Sequence, residues 1–123
     1  MYQYFSENFP DLTGDYFGEV LPGNEPVIFG EGFLNPGSFG SFCSAFSPDH
    51  KLFLFVHYDS SEEYPSQMMI SERIDGFWQK PAPLPFNSPE VDNDMCWSYD
   101  GKKLIWRSGR ELPDGTKPEG HTW

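Results

Sequence analysis

The sequence predicts an all-β fold in which one antiparallel hairpin unit is written twice. The strongest observation is a gapless internal repeat. Ala45-Phe46-Ser47-Pro48-Asp49-His50-Lys51-Leu52-Phe53-Leu54-Phe55 aligns with Cys96-Trp97-Ser98-Tyr99-Asp100-Gly101-Lys102-Lys103-Leu104-Ile105-Trp106 at a period of 51 residues. Ser, Asp and Lys recur at the same offsets, and Phe46, Phe53 and Phe55 are matched by Trp97, Leu104 and Trp106. The composition agrees: 18% aromatic residues punctuated by 12 Gly and 12 Pro describe aromatic strands broken by many turns. Finally, Leu52-Phe53-Leu54-Phe55-Val56 is continuously apolar rather than alternating. A strand of that kind is covered on both faces. Repeats of about 40–50 residues that carry strand hairpins mark the blades of a β-propeller. The predicted architecture is therefore a partial propeller: about one and a half four-stranded antiparallel blades after a leader strand.

Residues 1–41 read as a leader segment with one strand at 27–30, where Pro26 stands at the strand's first position. Asn35-Pro36-Gly37 reads as a turn into the first blade. Residues 42–86 form that blade. Its inner strand, 42–46, runs into the Ser47-Pro48-Asp49 turn, where Pro presets φ and Asp bonds back to the local backbone. The buried strand 52–57 follows, then the polar loop 59–65 and a third strand at 67–73. Asp75-Gly76 is a hairpin signal leading to Phe77-Trp78-Gln79-Lys80, and Pro81, Pro83 and Pro85 suit an outer edge. Residues 87–123 form an incomplete second blade, with strands at 95–97 and 103–108 and a Pro/Gly-rich loop at 110–121. A closed propeller needs roughly 4–8 blades. The expectation is thus an N-terminal fragment of a larger propeller, or a chain that self-associates through the open blade edge at 103–108.

The charge excludes some partners. Nineteen acidic and eight basic residues give a net charge of −11. Nucleic-acid binding needs clustered Lys and Arg, and the balance opposes it. No apolar run approaches the length of a membrane-spanning helix, and no secretory signal is visible.

The two turns, Phe46-Ser47-Pro48-Asp49-His50-Lys51 and Trp97-Ser98-Tyr99-Asp100-Gly101-Lys102, resemble the F-S-P-D-G-K signature of the WD40-like, TolB-type propeller repeats. Leu21-Pro22-Gly23 with Pro26-Val27-Ile28-Phe29 is similar to the leader of that family's bacterial members. Ile70-Ser71-Glu72-Arg73 with Gly76-Phe77-Trp78 is similar to its outer hairpin. The resemblance implies a six-bladed propeller, periplasmic or extracellular, that docks proteins or meets carbohydrate. His50 stands where the family has Gly and Tyr99 where it has Pro, so the first turn is expected to strain or change type.

The candidate site residues are few. Asp92, Asn93 and Asp94 precede an inner strand, which in a propeller sets them near the mouth of the central channel. Their oxygens suit a ligand or a cation such as Ca²⁺, and an Asx-type link between blades is the structural alternative. No other cofactor is implied. Asp49 and Asp100 are expected to brace the two turns. Glu62-Glu63 and Glu72, or Asp92 with Asp94, could form the carboxylate pair of a glycoside hydrolase or lyase. His50, His57 and His121 share no metal spacing. Cys43 and Cys96 are expected to be buried free thiols. Trp97 and Trp106 are expected in the blade core, and Trp78 partly exposed. The function these features predict is a non-catalytic binding or scaffold module for a protein or cell-envelope carbohydrate. A propeller-fold carbohydrate-active enzyme is the alternative, and a gene fragment without independent function the third.

Overall fold

The computed structural model describes residues 5, 7–34, 40–59 and 66–123. The turn expected at Asn35-Pro36-Gly37 and the Glu62-Glu63 pair lie outside the described residues. The fold is all-β, with one six-stranded and one three-stranded antiparallel sheet. Among the described residues nine strands follow in chain order: β1 (Leu12–Thr13), β2 (Gly40–Phe46), β3 (Leu52–Tyr58), β4 (Ser66–Ile74), β5 (Phe77–Trp78), β6 (Ala82–Pro83), β7 (Asp92–Trp97), β8 (Leu104–Ser108) and β9 (His121–Thr122).

In the first sheet β2, β3, β4 and β5 pair in meander order, and β1 adds outside β5 through Leu12–Trp78 and Thr13–Phe77. Asp75 and Gly76 both take positive φ, which makes the tight turn between β4 and β5. β6 lies along the middle of β4 at Met69 and Ile70. Asn87 continues that edge with its side chain: Oδ1 accepts from Met68 N at 3.1 Å and Nδ2 donates to Met68 O at 2.9 Å. In the second sheet the order is β7-β8-β9.

The 51-residue period is reproduced in three dimensions. Phe46 pairs with Phe53, and Trp97 with Leu104. Both inner strands carry a bulge at the same place, between Phe42 and Ala45 and between Asn93 and Cys96. The bulged residues Cys43 and Asp94 both have positive φ, at 50° and 52°. The turns also superimpose in their bonding. Ser47 Oγ donates to Asp49 Oδ1 at 2.7 Å and accepts from Leu52 N at 2.9 Å. Ser98 Oγ donates to Asp100 Oδ1 at 2.6 Å and accepts from Lys103 N at 3.0 Å. His50 adopts the left-handed conformation itself, at φ 54°, where its counterpart Gly101 has 68°. The turn type is therefore conserved between repeats, and the strain falls on His50.

The two faces of β3 are buried differently. Phe53 and Phe55 lie under the leader, in a cluster with Phe5, Phe17, Leu34, Met69 and Trp78. Leu54 and Val56 face the second sheet, with Met68, Leu84 and Met95 and the flanking Trp97, Leu104 and Trp106. The molecule is thus a stack of leader, first sheet and second sheet. In the second sheet Trp97, Leu104 and Trp106 face the first sheet just as Phe46, Phe53 and Phe55 face the leader. The leader takes the place of a preceding sheet.

Several expectations are corrected. Residues 27–30 form no strand. Val27 and Ile28 are exposed coil, and Gly30, at φ 69°, opens a turn in which Leu34 N donates to Gly30 O at 2.9 Å. The edge of β5 that a leader strand could join is taken by Leu12 and Thr13. Trp78 is buried, at 2% exposure, because Phe17 packs on its ring at 4.6 Å and Gly14 O accepts from its Nε1 at 2.8 Å. Cys96 is exposed and Cys43 half-buried. Both thiols are free, but Cys96 sits on the flank of the second sheet, which no further sheet covers among the described residues. The edge at 103–108 is not wholly open. β9 pairs with Arg107 and Ser108, and Trp123 exchanges both backbone bonds with Trp106 at 2.8 and 3.2 Å.

Candidate functional site

β7 starts at Asp92, so Asp92, Asn93 and Asp94 lie within the inner strand rather than before it. Strand alternation and the bulge send their side chains to different surroundings. Asp92 is buried, its side chain 1% exposed. Its Oδ2 accepts from Ser88 N at 2.6 Å and from Ser88 Oγ at 2.8 Å, and its Oδ1 accepts from Arg110 Nη2 at 3.1 Å. Burial works against its charge, yet bonds from Ser108, from Ser88 and from Arg110 outweigh it and hold the carboxyl below the usual range. Arg110 also donates to Phe86 O at 2.9 Å and lies between the rings of Trp106 and Trp123, at 5.3 and 5.4 Å. This cluster ties the 86–92 connection to the end of β8. Both carboxylate oxygens of Asp92 are engaged within it.

Asn93 Oδ1 is buried without a hydrogen-bond partner among the described residues. Asp94 is exposed and accepts from Cys43 Sγ at 3.3 Å. Cys43 and Asp94 are repeat-equivalent bulge residues, so the two inner strands meet at their matching irregularities. Burial and the Asp94 carboxylate push the Cys43 thiol up. Asp92 and Asp94 do not converge on a common point. Among the described residues no group of three or more His, Cys, Asp or Glu side chains could hold a metal ion. Asp49 and Asp100 close their turns, and Ser47 and Ser98 respectively hold their carboxyls below the usual range. His57 is buried at the end of β3, beside the Phe5 ring at 6.1 Å, and burial pushes its pKa down. Glu72 is exposed on β4.

The most conspicuous surface belongs to the leader. Val20, Leu21, Val27 and Ile28 are 89%, 74%, 61% and 68% exposed. Val20, Leu21 and Val27 line a cavity of about 180 Å³ together with Tyr16, Pro22 and Phe29. The cavity wall is built by the leader's own bonds: Gly30 N donates to Glu19 Oε1 at 2.8 Å, which draws the 27–30 stretch back against residues 16–19. Sequence reading passed over this patch because Val27 and Ile28 looked like a paired strand. The available signal was an apolar segment that carries acids and no cation: no Lys or Arg precedes Lys51. Arg110 was also missed, since its partner Asp92 lies eighteen residues away across a hairpin, and Ser88, four residues from Asp92, was passed over as part of a connection.

Compared with family models, with curated protein sequences and with solved structures, the chain finds no match.

Proposed function

We propose that this chain is a non-catalytic binding or scaffold module of propeller-like build, which meets a protein partner through the leader face. The exposed apolar patch at Val20, Leu21, Val27 and Ile28 carries the reading, because contiguous exposed apolar surface marks a protein-contact site. The local chemistry supports binding over turnover. Asp92 is committed to Arg110 and Ser88, and Asp49 and Asp100 to their turns. A glycosidase needs two carboxylates facing one bond with their pKa values pushed apart. The TolB-type resemblance of the two turns adds carbohydrate as a second ligand class and an extracytoplasmic setting.

A photo-crosslinking residue at Val27, with the fully exposed Tyr99 as control position, tests the proposal. The expected result is a defined protein adduct at Val27 that Leu21→Asp abolishes. No adduct above the Tyr99 control, together with turnover of an oligosaccharide panel, would overturn it in favour of an enzyme.

A further inference from the structure

The two ends of the stack differ, and they complement one another. Leu52, Leu54 and Val56 line the flank of the first sheet that the second sheet covers. One repeat later the same positions are Lys103, Ile105 and Arg107, and all three are exposed. With the exposed Cys96 opposite Ile105, the free flank of the second sheet is apolar at its centre and basic on both sides. An occupant of this flank must bring apolar surface and carboxylates together, because an all-apolar sheet would bury the charges of Lys103 and Arg107 with no counter-charge, Arg107 keeping its bond to Glu119 O at 3.0 Å.

The leader end has those properties. Its apolar patch is bordered by exposed Glu25 and Glu31, and the whole leader lacks a cation. The leader, residues 1–41, holds six acidic side chains and no Lys or Arg, a net of −6. Residues 102–123 hold three acidic and five basic, a net of +2. Complementary potentials of this kind select partners and fix orientation. We infer that a second copy of the chain docks head to tail, its leader face on the Ile105 flank of the first. This rests on the reading of the leader patch as a protein-contact surface and names the partner. Because the two surfaces differ, the contact is heterologous and propagates to a closed ring or an open array.

Mixing two broken surfaces tests it. Leu21→Asp removes the leader surface and Ile105→Asp the flank, with Lys103→Glu as a second flank variant in case Ile105→Asp disturbs the fold. Sedimentation of the full chain at high micromolar concentration and low salt is expected to give masses above the monomer. Each variant alone is expected to fall to the monomer with its circular dichroism unchanged. Equal amounts of a leader variant and a flank variant are expected to give a dimer, since one intact surface of each kind remains. A monomeric wild type, variants that still associate alone, or a mixture that stays monomeric would each overturn the inference. A Val27 adduct to a different protein with a monomeric wild type would overturn the head-to-tail contact and leave the binding reading standing.

Discussion

Replacing Asp92 by Asn takes the charge out of a buried polar cluster while keeping its shape. The carboxylate accepts from Ser88 N, Ser88 Oγ and Arg110 Nη2, all within 3.1 Å. Breaking a buried ion pair from one side costs about 3–5 kcal/mol. Arg110 keeps 23% of its side chain exposed and a second acceptor in Phe86 O, so the lower end applies. The expected loss is therefore about 3 kcal/mol, the lower end of that range for a broken buried pair. Urea unfolding followed by tryptophan fluorescence measures it, with Trp106 and Trp123 flanking Arg110 as reporters. The folded carboxyl lies below its unfolded value of about 3.9, so its contribution is fully present above that pH. It is lost as pH falls through the depressed folded pKa. The gap between wild type and Asp92→Asn should accordingly close under acid. A second substitution, Arg110→Met, should cost less in the Asn background than alone. A loss under about 0.5 kcal/mol, the range of an ordinary surface substitution, would refute the view that this cluster clasps the second sheet to its connection.

Three further outcomes are expected. Gly101→Ala should destabilise by about 1–2 kcal/mol, the cost of a side chain in the left-handed region, since Gly101 has φ 68° and a Cβ there would lie 3.2 Å from Pro48 Cδ; thermal unfolding checks it. Phe17→Ala should cost about 3–5 kcal/mol and raise hydrogen exchange in β1 and β5, because Phe17 packs on Phe53 and Trp78 at 5.1 and 4.6 Å. A disulfide-exchange reagent should label Cys96 quickly and Cys43 slowly, and Asp94→Asn should speed Cys43 by lowering its raised pKa.

What could be read in advance was what is local. The Ser47–Asp49 and Ser98–Asp100 turns close through bonds spanning no more than five residues, so the motif and the geometry coincide. The double burial of β3 was equally plain, because five apolar residues in a row leave no face for water. The leader was opaque. Val27 and Ile28 have strand propensity, but the pairing edge went to Leu12 and Thr13, a choice made by Phe17 seating on Trp78 rather than by propensity. Trp78 and Cys96 were misplaced for related reasons: a leader covers the first sheet, and nothing among the described residues covers the flank of the second. At the candidate site, Asp92 was legible as an acid on an inner strand, but its fate depended on Arg110, eighteen residues away across a hairpin. The bulges at Cys43 and Asp94 were invisible because neither residue is a glycine, although both take positive φ.

The arrangement of leader, first sheet and second sheet depends on β3 pointing alternate residues at two different neighbours. Side-chain nuclear Overhauser contacts measured on the Leu54 and Val56 methyl groups test it most directly. Stacking predicts cross-peaks from these methyls to Met95 and the Trp97 and Trp106 rings, with Phe53 contacting Phe17 and Phe55 contacting Phe5 instead. Cross-peaks from Leu54 or Val56 to the Phe17 ring, with none to the second sheet, would contradict it.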